Sequence, residues 1–131
     1  VDEVVVVVAL DARQSVLVDD DYAMEDGRIS SLWFESAPGH TPGTMFITLS
    51  SRGARAMFCG DILHHALQVY NPEWNSFACA EPIGARKSRR EALEHCAGSG
   101  ARLMPCHFGS PFSCHIDHKD DGFVPRFGGQ F

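Results

Sequence analysis

A chain of 131 residues with 44% hydrophobic and 21% charged residues has the size and balance of one soluble globular domain, and no apolar run approaches the roughly 20 residues that a membrane helix needs. Seventeen acidic against eleven basic residues leave a formal charge of −6. No basic stripe suited to a phosphate backbone stands out, so neither nucleic acid nor a membrane is expected as a partner.

Residues 4–10, VVVVVAL, form a continuous run of the kind found in strands buried on both faces, with residues 16–18 as a short neighbour. Two acids precede the run in place of a basic region, and no small-residue cleavage site follows, so it reads as a strand and not as a leader. An acidic loop over 19–27 leads to a strand over 29–35, ISSLWFE, which runs into Pro38-Gly39. Strands over 44–49 and 54–59 follow, joined by SSRG. Residues 61–82 are mixed and aromatic, with too little period for a helix or strand assignment, and suit a pocket wall.

The clearest helix covers 85–97. Ala85, Ala92, Leu93 and Cys96 share one face, Arg86, Lys87, Arg90 and Glu94 the other, and Gly98 is placed to stop it. The basic cluster there reads as a solvated helix face. ARLMPCHF, 101–108, reads as a short buried strand ending near His107, and the tail from Gly109 carries turn residues and scattered aromatics. Strands alternating with a helix give a layered α/β arrangement. The five cysteines are an odd set without a C-x-x-C pair, which argues against a disulfide framework and for a reducing, cytoplasmic setting.

Three polar residues stand at strand ends: His40 after LWFESAPG, Asp61 after ARAMFCG and His107 after RLMPC. Such positions converge at one edge of a sheet, the usual location of sites in layered α/β folds. Two imidazoles and a carboxylate suit a divalent metal such as zinc.

PGHTPG at 38–43, FCGD at 58–61 and PCHF at 105–108, in that order, resemble the later motifs of the metallo-β-lactamase superfamily. GDILHHALQVYNPEW and SRREALEHCAGSGARLMPCHF resemble its lactonase and organophosphate-hydrolase branch. The resemblance is strongest over 29–131. It implies the C-terminal part of an αββα sandwich with a mixed sheet, so that 1–131 form a single, incomplete domain. It also implies metal ligands: His40 completing the shell of a first metal, Asp61 bridging two metals and serving as the catalytic carboxylate, and His107 on the second. Thr44 stands where the family often has a second histidine, which is not a ligand.

The family's first motif, H-x-H-x-D-H, has no counterpart among the seven histidines. These residues are therefore expected to be the C-terminal part of a longer enzyme, with a pseudoenzyme or a gene that lost its front half as the alternative; the DNA upstream of Val1 would decide. In the complete family two divalent ions, zinc by chemistry, share a hydroxide that attacks an ester, a lactone or a phosphotriester. With three ligands split between two ions, the 131 residues alone are expected to bind metal weakly or not at all and to hydrolyse nothing usefully. A small-molecule substrate is expected, and a homodimer is an open assembly. A glyoxalase-II-like thioesterase is the alternative within the superfamily.

Around this set, His64 and His65 follow Asp61 closely enough to line the pocket, and His115 falls where related chains have a Gly-rich stretch near the pocket mouth. Trp74, Phe77, Phe108 and Phe112 suit an apolar wall, although aromatics of this kind are more often ordinary core. A rival reading from another class uses Cys106, His107, Cys114, His115 and His118 as a structural zinc knot in a non-catalytic binding module.

Overall fold

The computed structural model describes residues 23–24 and 31–128; the strands expected over 4–10 and 16–18 lie outside them. β2 (Ser31–Ser36), β3 (Met45–Ser51) and β4 (Ala54–Gly60) form an antiparallel meander, with the short β1 (Ala23–Met24) on its outer edge. The β3–β4 connection is Arg52-Gly53, both at positive φ (51° and 83°), the left-handed pair whose turn matches the twist of the flanking strands. Residues 61–81 are largely irregular, as expected, apart from the single turn α1 (Leu67–Tyr70). The long helix α2 (Pro82–Ser99) then crosses over to β5 (Arg102–Pro105), which pairs parallel to β4 and makes a mixed sheet of five strands among the described residues.

Helix α2 is longer at both ends than its apolar period predicts, and its caps explain why. The Glu81 side chain accepts from the Ile83 N–H at 3.1 Å and from the Gly84 N–H, and Pro82 opens the first turn. The helix runs through Gly98 and stops at Gly100, whose φ of 71° lets its N–H reach the Cys96 carbonyl at 3.0 Å. Ala85, Ala92, Leu93 and Cys96 are fully buried, as the period requires. Ala92, Leu93 and Cys96 share one core with Phe46, Met57, Cys59 and Leu103. Ser88 and Arg89 fall on the same face and are also buried, at 3% and 0% exposure, while Arg86, Lys87, Arg90 and Glu94 on the other face are exposed as expected.

The strand register puts Ile47, Leu49, Ala56, Phe58 and Met104 on the face of the sheet opposite that core. A cavity of about 260 Å³ lies there between Leu49, Ala56, Phe58 and Met104. The tail is more regular than its composition suggested. β6 (His115–Lys119) and β7 (Gly122–Arg126) form a hairpin, joined to β5 by paired Leu103–Cys114 main-chain bonds of 2.8 and 3.1 Å. Asp117 and Arg126 pair across the hairpin at 2.8 Å, and this guanidinium lowers the Asp117 pKa.

All five cysteines are free, and only Cys106 is exposed. Burial pushes the Cys96 thiol up to about 12 and the Cys114 thiol up to about 11, and raises Cys59 well above 9.0. Because these acids ionise more readily when unfolded, their contribution to stability is complete below pH 9.0 and is lost as the pH climbs through the folded-state values. Chemical denaturation between pH 8 and 11 should therefore show a midpoint that falls steadily above about pH 9. Disulfide-exchange labelling of the native chain should modify Cys106 first; equal reactivity of Cys96 would refute the assignment.

Candidate metal centre

The loop carrying His40 is fixed from both sides. Within it, Ala37 N–H donates to the Thr44 carbonyl at 2.8 Å, Gly39 N–H to the Thr41 carbonyl at 3.1 Å and Thr41 N–H to the Thr44 hydroxyl at 3.0 Å. Thr44, at the position where the resemblance leads one to look for a second histidine, thus closes the loop. From outside, the Ala80 and Glu81 N–H groups donate to the carbonyls of His40 and Gly39 at 3.0 and 2.9 Å, and the Ser88 hydroxyl donates to the Pro38 carbonyl at 2.8 Å. Gly39, at φ 143°, presses its Cα against the backbone of Gly84 and Ala85 in the first turns of α2.

Asp61 follows Gly60 at the end of β4, and His107 follows Pro105-Cys106 at the end of its parallel neighbour β5. Adjacent parallel strands present their carboxyl ends side by side, and the two side chains meet: His107 Nε2 lies 2.8 Å from Asp61 Oδ1. His40 Nε2 approaches the other oxygen, Oδ2, at 3.4 Å. The three residues singled out as ligands therefore converge on one carboxylate, which stands between two imidazoles.

A fourth group joins them. His64 lies with its ring centroid 5.1 Å from that of His40 and 5.0 Å from that of His107, nearly parallel to the latter at 10°. Donor atoms of Asp61, His64 and His107 all lie within 4.8 Å of one another. Burial, and then the His40 and His107 imidazoles, lower the His64 pKa. Its Nδ1 and that of His40 are buried without a hydrogen-bond partner among the described residues, an arrangement that costs free energy unless something else takes the lone pair or proton.

Two buried side chains hold the turn from Asp61 to His65. The Gln68 amide oxygen accepts from the N–H groups of His64 and His65 at 2.7 and 3.2 Å, while its amide nitrogen donates to the Trp74 carbonyl at 2.8 Å. Arg89 donates from Nε to the Ile62 carbonyl at 2.9 Å, and from its terminal nitrogens to the Pro72 carbonyl at 2.7 Å and to Asn75 Oδ1 at 3.2 and 3.3 Å. The sequence signal for Arg89 was present: it is four residues after Ala85 and three before Ala92, on the buried stripe.

Beside His107 opens a cavity of about 310 Å³, bordered by His65, Ala66, Phe108, Pro111 and Phe127. His65 and Phe108 both border this cavity, Phe108 while packed in the core. His115 does not. It starts β6, whose anchor to Leu103 sets it at the opposite end of β5 from His107, and there it borders a separate cavity with Arg55, Ser99 and Arg102. Trp74, Phe77 and Phe112 are exposed and are not part of the core. The zinc-knot grouping does not assemble: His107 is on Asp61, His118 on Glu94 at 3.5 Å, and Cys114 is buried beside Leu103. Among the described residues, Asp61, His64 and His107 are the group of metal-ligating side chains that gathers.

The donor set fits a divalent metal. It offers imidazole nitrogens and a carboxylate at one sheet edge, with the backbone fixed around each.

No family model matches the sequence, and no curated protein matches it significantly. Solved structures do. AidC, a dizinc quorum-quenching lactonase in complex with a product, is 24% identical with a TM-score of 0.77, the match covering 92% of this chain and 40% of AidC. The hydrolase AbOPH of the β-lactamase superfamily is 21% identical with a TM-score of 0.77, covering 96% of this chain and 43% of AbOPH. An N-acyl homoserine lactone hydrolase, with product at its catalytic metal centre, is 17% identical with a TM-score of 0.53 over 70% of this chain and 35% of its own. The chain has the α/β fold of the metallo-β-lactamase superfamily and spans less than half the length of these structures.

Proposed function

We propose that, on this metallo-β-lactamase fold, the chain carries the C-terminal share of a metal-dependent hydrolase acting on a lactone, ester or phosphotriester. The observation that carries the reading is the meeting of His40 and His107 on the two oxygens of Asp61, at 3.4 and 2.8 Å, from three separate strand ends. When bound, divalent metal, zinc by the donor chemistry, supplies an acidified water and polarises the oxygen of the scissile group. His40, Asp61 and His107 would hold it, two ions being expected where the remaining ligands are also present. Asp61, with one oxygen toward each imidazole, is the group able to serve both ions. The cavity of about 310 Å³ beside His107 would seat an apolar part of the substrate and keep water from it. Its position beside His107, and the lactone hydrolases among the neighbouring folds, favour a lactone over a thioester. A cytoplasmic setting is part of the proposal and is consistent with five free cysteines; no described helix is long and apolar enough to cross a membrane.

The natural gene product, offered a panel of lactones, phosphotriesters, thioesters and β-lactams, should hydrolyse a lactone or phosphotriester. That turnover should stop on chelation and fall at least about a thousandfold in Asp61→Ala, the scale of losing a principal electrostatic element of a site. Hydrolysis that survives Asp61→Ala would overturn the reading. Thioester turnover alone would move it to the glyoxalase-II-like branch. The 131 residues by themselves should turn over none of the four classes.

A further inference from the structure

We infer that these 131 residues close a mononuclear metal site of their own, with His64 as a fourth ligand beside His40, Asp61 and His107. The inference rests on the reading above for three of the ligands, and adds to it a residue and a stoichiometry. Expecting weak binding from three ligands shared between two ions counts the imidazoles of His40 and His107 only. The turn after Asp61 brings a third into the same space, with its donor atom within 4.8 Å of those of Asp61 and His107.

Three observations make His64 more than a bystander. Its ring stands between the other two, 5.1 Å from His40 and 5.0 Å from His107. Its Nδ1 is buried and has no hydrogen-bond partner among the described residues, a ring nitrogen left for another donor or acceptor. Its backbone is locked by the Gln68 amide and, through Ile62, by the buried Arg89 guanidinium, so little further ordering is needed to present it. By contrast, the Nδ1 of His65 already accepts from the Leu67 N–H at 3.2 Å, and that ring borders the neighbouring cavity.

The stoichiometry has a chemical consequence. Zinc in closed sites is held tetrahedrally by four protein ligands, whereas catalytic sites keep three and leave one position for water. Asp61, His64 and His107 gather within 4.8 Å of one another, and together with His40, 3.4 Å from Asp61, they would fill all four positions. The absence of turnover expected from the 131 residues then follows from a filled shell and not from an empty site.

Calorimetric titration of the 131-residue chain with zinc, and visible absorption of its cobalt(II) form, test this. The expected result is one ion per chain and a four-coordinate cobalt spectrum. In His64→Ala and in the size-conserving His64→Gln, affinity should fall at least about tenfold, beyond the lower end of what a lost outer-shell partner costs, and the cobalt spectrum should change. His65→Ala should leave both unchanged. Circular dichroism of the metal-free variants establishes that each is folded, and His64→Gln serves where the alanine variant is not. Two ions per chain, no binding, or a cobalt spectrum in the His64 variants identical to that of the parent would overturn the inference. Hydrolysis by the natural gene product that survives Asp61→Ala, with zinc binding to the 131-residue chain still dependent on His64, would instead overturn the hydrolase reading alone, so the two failures are distinguishable.

Discussion

Replacing Arg89 by Met is expected to destabilise the chain by at least about 3 kcal/mol, because it leaves buried acceptors without donors at about 1–3 kcal/mol each. The guanidinium is fully buried and serves the Ile62 and Pro72 carbonyls together with the Asn75 amide oxygen. Methionine fills most of the volume and removes every donor, so the loss reports hydrogen bonding more than packing. The three acceptors lie on the segment from 62 to 75, which also carries His64, and the variant should therefore weaken metal binding as well as fold stability. Arg89→Lys should recover less than half of the stability, since an ammonium on a flexible stem cannot span acceptors arranged for a planar fork. Urea denaturation checks this through the midpoint at constant slope. A shift equivalent to less than about 1 kcal/mol in Arg89→Met, the size of one ordinary hydrogen bond, would show that the network carries little.

Gly39→Ala is the second large effect. A Cβ there would sit 2.1 Å from the Ala85 nitrogen, 2.4 Å from the Ala85 Cα and 2.5 Å from the Gly84 carbonyl carbon, all of them backbone of α2. No rotamer change relieves such a clash; the loop or the helix must move. The φ of 143° adds strain for any side-chain-bearing residue. Overpacking and backbone strain each cost roughly 1–3 kcal/mol, for a combined loss of about 2–6 kcal/mol. The functional loss should exceed what stability alone explains. The Gly39 and His40 carbonyls accept from Glu81 and Ala80, so moving the loop off α2 carries the imidazole away from Asp61. Metal affinity measured under conditions where the variant is fully folded should fall about tenfold or more. Wild-type affinity in a folded Gly39→Ala protein would contradict this coupling.

These two residues mark what sequence reading reached. The meeting of His40, Asp61 and His107 was legible because each follows a strand and sits in a motif whose neighbours, Pro38-Gly39, Gly60 and Pro105, punctuate the chain. The meander and the crossover helix were legible from apolar period and turn chemistry. Arg89 was obscured because a basic cluster normally marks a solvated face, and only its spacing from Ala85 and Ala92 betrays burial. His64 could not be separated from His65 by sequence, since adjacent residues on an irregular turn have no period to assign their directions; Gln68, which binds both amides, makes that choice. The β6–β7 hairpin was missed because alternation in HIDHK is carried by Ile116 alone, with charged or polar groups on either side. His115 was drawn toward the pocket by the Gly-rich stretch that related chains have at its position, whereas the chain reverses after His107 to pair Cys114 with Leu103.

The contact between Asp61 and His107 spans 46 residues, nearly the whole crossover from β4 through α2 to β5. Contacts of such separation are slow to form, because the intervening loop must lose its entropy before they contribute. An ion offered to the refolding chain finds His64 near Asp61 early and His107 only after β5 has docked. Metal capture is thus a clock for the last step of assembly: the rate at which cobalt colour develops should track closure of the parallel pair, whatever the concentration of free ion.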